Sequence, residues 1–464
     1  MPQATQSHVS PDDIRLQFSQ AMSDMYKLEV PLYGNLLELV NATNAQVLAR
    51  RPELVEQLSD AEDLSRLSVE RHGAIRLGAA AEMRMMRRML AVMGMFPVGY
   101  YDLSVAGVPV HATAFRPISD RALAACPFRL FTSLLRHELI DDEQARTLAS
   151  ALLAKREIFT DRVKVLIGKF EDQGGLCSGD ADEFIEQALH TFRWHTQSTA
   201  TYDQYNLLNK QHRLVADIAA FKGPHINHLT PRTLDIDQVQ RSMTAYGIEP
   251  KAFIEGPPKR RCAILLRQTS FKALEEAIAF ADQNNMHGRH TARFGEIEQR
   301  GIALTRKGRE LYDLLLTQAR GSHAAAGGGS DSYVECLERA FREFPDDYAA
   351  LRSQRLAHFR YRVLEEAQPL PGEFNTGWTA DSLVAKGYVA FDPLVYEDFL
   401  PVSAAGIFQS NLGDVVHSDY RAPANQRAFE DALGATVHDE CSLYADVEAR
   451  SLEHCIERLS AMAR

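Results

Sequence analysis

Two histidines lie three positions apart in GPHINHLTPRTLDID, residues 223–237, among few charges, and imidazoles so placed are candidate metal ligands. Their spacing limits what they do together. Residues three apart share a face on a helix but point to opposite faces on a strand. Pro224 and Pro231 disfavour a helix, so the stretch predicts a strand on which only one of the pair faces a given ion. His228 lies inside the run and is the candidate, whereas His225 stands at its start beside Gly223 and Pro224. One imidazole holds an ion weakly, so the other ligands must come from elsewhere in the chain.

The pattern of elements says where. RHGAIRLG (71–78) alternates as a strand, AAAEMRMMRRMLAVMGM is an amphipathic helix ending near Gly94, and PVGYYDLS, GVPVHATAFRP and PFRLFTSLL follow as strands or possible strands. The order then recurs: HINHLTP (225–231) as a strand, LDIDQVQRSMTAYG as a helix starting near Asp235, then KAFIEGP, RCAILLRQTSF and HTARFGEIEQRG (290–301) as strands. Two βαβββ-like modules that pair about a pseudo-twofold axis bring their first strands together, which makes His72 the counterpart of His228. A third ligand then comes from a module's last strand, where Glu296 and Glu298 share a face with Phe294 and His290. A carboxylate inside a sheet needs a cation or strong hydrogen bonds. Two neutral imidazoles and one carboxylate, with positions left open, form the facial set of non-haem Fe(II) oxygenases, although Zn, Mn, Co or Ni also suit these donors.

Around the modules the chain reads as helix. Residues 11–70 repeat apolar positions at helical spacing behind Ser10, which is placed to cap the first turn. Residues 140–222 are again helical, as are 306–319, 333–343 and most of 333–464, whereas GSHAAAGGGSDS (321–332) predicts a flexible surface loop. The expected class is α+β, with a central β-sheet from two βαβββ-type modules and large helical flanks. The expected divisions are 1–70, 71–140, 141–222, 223–305 and 306–464, with a pocket-forming segment at 396–412. The methionine stripe of EMRMMRRML predicts core packing below a solvated basic face, and His111 and Arg116 predict structural roles on their strand.

The 464 residues exceed one ordinary core, 45% are hydrophobic, and no apolar run is long enough to cross a bilayer. A net charge of −11 opposes nonspecific attraction to nucleic acid or anionic lipid. The six cysteines are scattered without CxxC spacing and predict free thiols. MPQATQSHVSPDD lacks the basic start and apolar core of a secretory signal, so it predicts a short disordered lead-in to a cytoplasmic protein. GxxxxGK[ST], HExxH and GxGxxG are all absent from the sequence, which leaves nucleotide-dependent and zincin mechanisms without support.

The segments VERHGAIR, PVGYYDLS, GVPVHATAFRP, HINHLTPRTLDID, ILLRQTSFKALEE, HTARFGEIEQRG and YEDFLPVSAAGIFQSNL resemble the 2-oxoadipate dioxygenase/decarboxylase family, also called D-2-hydroxyglutarate synthase, within the vicinal oxygen chelate superfamily. The resemblance implies Fe(II) held by His72, His228 and Glu296, Arg76 on a substrate carboxylate, and Val402 and Ser403 shaping the pocket. It also implies 2-oxoadipate and O2 as substrates, and D-2-hydroxyglutarate and CO2 as products, in lysine breakdown. Arg76 suits that part because its planar fork grips a carboxylate through two hydrogen bonds. It shares a strand face with His72 about 13 Å along the backbone, a gap that its own side chain shortens to the scale of a six-carbon diacid. Arg267 is a second candidate for carboxylate binding. His225 and His290 are expected behind the ligands or against substrate, and Glu298 as a surface acid or one supporting a ligand. A metal-dependent lyase or isomerase, or a protein that only binds a small molecule, would use the same residues.

Overall fold

The computed structural model describes residues 7–60, 63–282, 287–325, 330–369, 378–400 and 423–463. Its central sheet contains β1 (Arg71–Leu77), β2 (Phe96–Asp102), β3 (Val110–Arg116), β4 (Arg129–Leu135) and β5 (His228–Pro231), in the order β2-β3-β4-β1-β5. A helix, Ala80–Val92, connects β1 to β2. β1 runs parallel to β4, while β2/β3 and β3/β4 are antiparallel. The first module is therefore the βαβββ unit that the sequence pattern predicts.

Every residue of β1, β3 and β4 is buried, because the sheet is covered on both faces. On one face Ile75, Leu77, Phe115, Leu130 and Leu134 pack with Met83, Met86, Met89 and Leu90 of the connecting helix and with the helix Pro11–Glu29. The methionines are thus core. Arg84 and Arg87 above them reach backbone carbonyls at 431–433. Ser10 caps the first helix as expected, its Oγ accepting from the Asp13 amide at 3.1 Å.

On the opposite face Ala74, Ala112 and Ala114 lie beside Tyr101, Phe131 and Phe399, under the helices Glu143–Leu153, Tyr202–Gln211 and Arg213–Ala219. Small side chains here leave room for His72 and Arg76, which follow the same alternation. β5 pairs antiparallel with β1, setting His72 opposite Thr230 and Ala74 opposite His228. Gly73 sits in that seam. A Cβ on it would lie 2.7 Å from Ile226 Cδ1 and 3.2 Å from the His228 carbonyl oxygen, so a hydrogen alone fits.

The second module repeats this order with less regular strands. After β5, Asp235 caps the helix Ile236–Ser242 as predicted. KAFIEGP does not form a strand of its own; Glu255 within it bridges antiparallel to Gln268 of the next strand, and Pro250 just before it bridges to Phe271 just after that strand. That next strand is β6 (Leu266–Ser270). The predicted single strand over 290–301 is two strands, β8 (His287–Thr291) and β9 (Glu296–Arg300), broken around Gly295, where an added Cβ would lie 2.3 Å from Phe271 Cε1. β8 pairs instead with β7 (Glu275–Ala279), a strand that the alternation analysis missed. β9 pairs with β6, and a parallel bridge from Arg232 to Glu298 sets the module's last strand beside its first, as β4 lies beside β1.

Contacts divide the chain into two units, Met1–Glu255 with Gln268–Glu298 and Phe399–Val437, and Gly256–Arg267 with Gln299–Asp398 and His438–Arg464. The second unit holds β10 (Phe359–Val363) and β11 (Val389–Pro393), antiparallel, against the helix Glu440–Met462, with Ser451 Oγ accepting from the Tyr361 amide. The predicted loop over 321–332 is mostly helical: one helix continues to Ala325 and another begins at Ser330. Its alanines and serines tolerate a helix, and residues 326–329 lie outside the described ones. Among the described residues no helix is long and apolar enough to cross a membrane.

Candidate metal centre

β1, β5 and β9 bring His72, His228 and Glu296 together, and one ligand atom from each lies within 4.8 Å of the other two. All three side chains are fully buried. His72 Nε2 is 3.1 Å from Glu296 Oε2, and His228 Nε2 is 3.6 Å from the same oxygen. The two rings stand perpendicular with centroids 5.5 Å apart, as expected of donors aimed at a shared point from neighbouring strands.

Hydrogen bonding around the cluster is incomplete in a specific way. Glu296 Oε2 accepts from Thr230 Oγ1 and from Gln268 Nε2, both at 3.0 Å, whereas Oε1 has no hydrogen-bond partner. Neither nitrogen of His228 has one. Buried polar atoms are nearly always paired, and leaving one unmade costs about 1–3 kcal/mol. A divalent cation taken up by one His228 nitrogen and by Glu296 would supply a partner to each residue, so these residues fit a metal. Behind the cluster, His72 Nδ1 is 2.9 Å from Glu298 Oε2, an ion-pair distance whose angle falls short of a hydrogen bond, and a carboxylate at that nitrogen favours Nε2 as the atom offered to an ion. Glu298 is fully buried, so it is no surface acid.

The charges follow from this arrangement. Burial pulls the His72 imidazole down, but Glu298 and Glu296 outweigh it and leave its pKa above the ordinary value. Burial, with His72, Arg76 and Lys251 nearby, drives His228 far below the usual range and keeps it neutral, as a ligand must be. Burial likewise lowers Lys251 to about 8, against the pull of Glu255 and Glu296. Phe399, centred 4.9 Å from the His72 ring, and Phe294, 4.7 Å from His228, wall the cluster with apolar surface.

Arg76 lies on the same strand face four residues beyond His72, and its Nη1 donates to Asp217 Oδ2 at 2.6 Å. His225 and His290 are not at the metal cluster but around Asp217. His290 Nε2 is 2.8 Å and His225 Nε2 3.4 Å from its Oδ1. Burial works against the charge on Asp217, yet His225, Arg76 and His290 outweigh it and hold its carboxyl well below the usual range. Arg267 neighbours Gln268 on β6 and, by the strand's alternation, projects from its other face. His111 packs against Tyr100 and Phe429, and Arg116 donates to the Pro117 carbonyl, both in structural settings. Val402 and Ser403 lie outside the described residues.

Sequence reasoning missed Asp217, Thr230 and Gln268. A carboxylate in the apolar run RLVADIA is itself a signal, because such a group must find a cation or donors. Thr230 stands two residues past His228 on the same strand face.

Comparison with known proteins agrees with this geometry. The family model for 2-oxoadipate dioxygenase/decarboxylase matches residues 18–411. The 2-oxoadipate dioxygenase/decarboxylase of Pseudomonas putida is 58% identical over 454 residues, covering 97% of this chain and 98% of that protein. The enzyme of the same name from Escherichia coli is 54% identical over 449 residues, covering 96% and 98%. Among solved structures, the hydroxyglutarate synthase of Pseudomonas putida in complex with 2-oxoadipate superposes with a TM-score of 0.90 at 56% identity, covering 98% of this chain and all (100%) of that one. On the strength of the matched length, the identities and the shared fold, the chain belongs to the 2-oxoadipate dioxygenase/decarboxylase family.

Proposed function

We propose that this protein is an Fe(II)-dependent dioxygenase that converts 2-oxoadipate and O2 to D-2-hydroxyglutarate and CO2 in the cytoplasm, as a step of lysine catabolism. The observation that carries the reading is the convergence of His72, His228 and Glu296, with buried atoms of His228 and Glu296 left without hydrogen-bond partners. In the net reaction C1 leaves as CO2, C2 becomes a carboxylate by gaining one oxygen atom, and the second oxygen becomes a hydroxyl on the neighbouring carbon. Fe(II) bound there would activate O2 and chelate the oxo acid through its keto oxygen and C1 carboxylate.

The protein's residues supply position and exclusion. His72, His228 and Glu296 would hold the ion, and three protein donors would leave coordination positions for the substrate. Phe399 and Phe294 keep bulk water from the reacting carbons. Arg76 grips the far carboxylate, which holds the chain of the substrate so that the carbon next to the keto group faces the ion. Ser270 Oγ, two residues beyond Gln268 on the same strand, is buried without a hydrogen-bond partner, and its hydroxyl can donate to a substrate oxygen.

The test is anaerobic loading with Fe(II), then addition of 2-oxoadipate and O2 while oxygen uptake and CO2 release are followed together. Equal consumption of O2 and release of CO2 is expected. CO2 without oxygen uptake would make the protein a lyase, and binding without either would make it a carrier. Arg76→Ala should raise the KM for 2-oxoadipate roughly 100-fold, the scale of a lost bidentate charged contact, with metal content unchanged. Parallel loss of metal would instead make Arg76 structural.

A further inference from the structure

We propose that Asp217 is a positioning residue for substrate recognition, acting through Arg76, and that His290 and Tyr205 hold it in place. This rests on reading Arg76 as the anchor of the substrate's far carboxylate.

The observations form one unbroken chain of buried polar contacts. Tyr205 Oη and His290 Nδ1 are 2.8 Å apart, His290 Nε2 and Asp217 Oδ1 2.8 Å, and Arg76 Nη1 donates to Asp217 Oδ2 at 2.6 Å. The directions agree throughout. A neutral imidazole that donates from Nε2 to Asp217 presents a lone pair at Nδ1, which the Tyr205 hydroxyl fills. All four side chains are less than a tenth exposed. Aromatic packing locks them further, since the Trp194 ring stacks on His290 at 6.1 Å and meets His225 edge-on at 4.7 Å. The chain spans four elements, the helices Tyr202–Gln211 and Arg213–Ala219 with β8 and β1, so it fixes the guanidinium relative to most of the pocket face.

An acid beside an anion-binding arginine is at first sight counterproductive, because its charge repels the substrate. It is useful only if the direction of the fork matters more than its bare attraction. That is the case for a long, rotamer-rich side chain that must meet a carboxylate at a set distance from the reacting carbon. Holding one edge of the guanidinium beforehand removes the ordering cost at binding and aims the other edge.

The experiment compares 2-oxoadipate with 2-oxohexanoate, a 2-oxo acid of equal chain length that lacks the far carboxylate. Asp217→Asn should raise the KM for 2-oxoadipate about tenfold, the scale of one charge-assisted hydrogen bond, while metal content and kinetics on 2-oxohexanoate stay as in the unaltered protein. Added to Arg76→Ala, it should change the preference for the diacid no further. Tyr205→Phe should act in the same direction by a smaller factor. Equal losses on both substrates, a lowered KM for the diacid, or additive losses in the double variant would overturn the proposal. If Asp217→Asn does not fold, Tyr205→Phe decides, and unchanged diacid preference in it sinks the idea. Arg76→Ala that keeps its preference for the diacid would instead overturn the anchor reading itself.

Discussion

β1 presents His72 and Arg76 on one face four residues apart, and the carboxylates they meet are in opposite conditions. At His72 the partner Glu296 has one oxygen unpaired, and the neighbouring His228 has no hydrogen bond at either nitrogen. At Arg76 the partner Asp217 has both oxygens engaged, one by the guanidinium and the other by the His290 imidazole. The same physics produces both, since a buried carboxylate must be compensated. Where the protein supplies the compensation, the result is a rigid brace. Where it withholds it, a cation is required, and the site is defined by what it lacks.

The largest effect that tests this contrast is at the unsatisfied end. His228→Ala should remove bound metal, read by elemental analysis after dialysis, and reduce turnover at least a thousandfold, on the order of the loss of an essential catalytic group. A variant that keeps full metal would erase the distinction between the two ends. A smaller effect is expected behind the ligand. Glu298→Gln keeps the shape but not the charge on His72 Nδ1, and should weaken metal affinity about 10- to 100-fold, measured by competition with a chelator. The smallest effect belongs to the saturated end and concerns pH. Burial lowers the pKa of His225 from 6.5 to about 3, so the folded protein keeps it neutral where the unfolded chain takes up a proton. Its contribution is therefore full above pH 6.5 and declines as pH falls towards 3. That amounts to about 2 kcal/mol lost by about pH 5, at roughly 1.4 kcal/mol per pH unit. His225→Gln should flatten the acid limb of unfolding by that amount, and an unchanged slope would mean that His225 titrates normally.

What was legible in the sequence follows the same division. His72, His228 and Glu296 stand on strands whose alternation and order can be read locally, and the seam of β1 with β5 forms where the matched modules require it. The first module was read almost entirely, because its strands are long and their turns are marked. The second was read in order but not in detail. KALEEAIAF carries β7 with exposed and half-exposed glutamates, an edge pattern with no clean hydrophobic face to announce a strand. The brace was invisible because Asp217 lies on a seven-residue helix with no sequence link to β1; its role depends on which helix covers the sheet. His225 and His290 were expected beside the ligands or substrate, whereas they stand around Asp217, the arginine's partner, a relation fixed only by packing.

His72 and Glu296 touch although they stand 224 positions apart in the sequence. An ion held by both therefore clasps nearly half the polypeptide into one loop, and only a chain that has already joined its two sheet modules presents the full donor set. Occupancy and foldedness become linked quantities: at a free ion concentration a thousand times Kd, the clasp adds about 4 kcal/mol to the folded state. Chelators should thus soften the protein as well as silence it, and heat resistance should report how much of a preparation carries its ion.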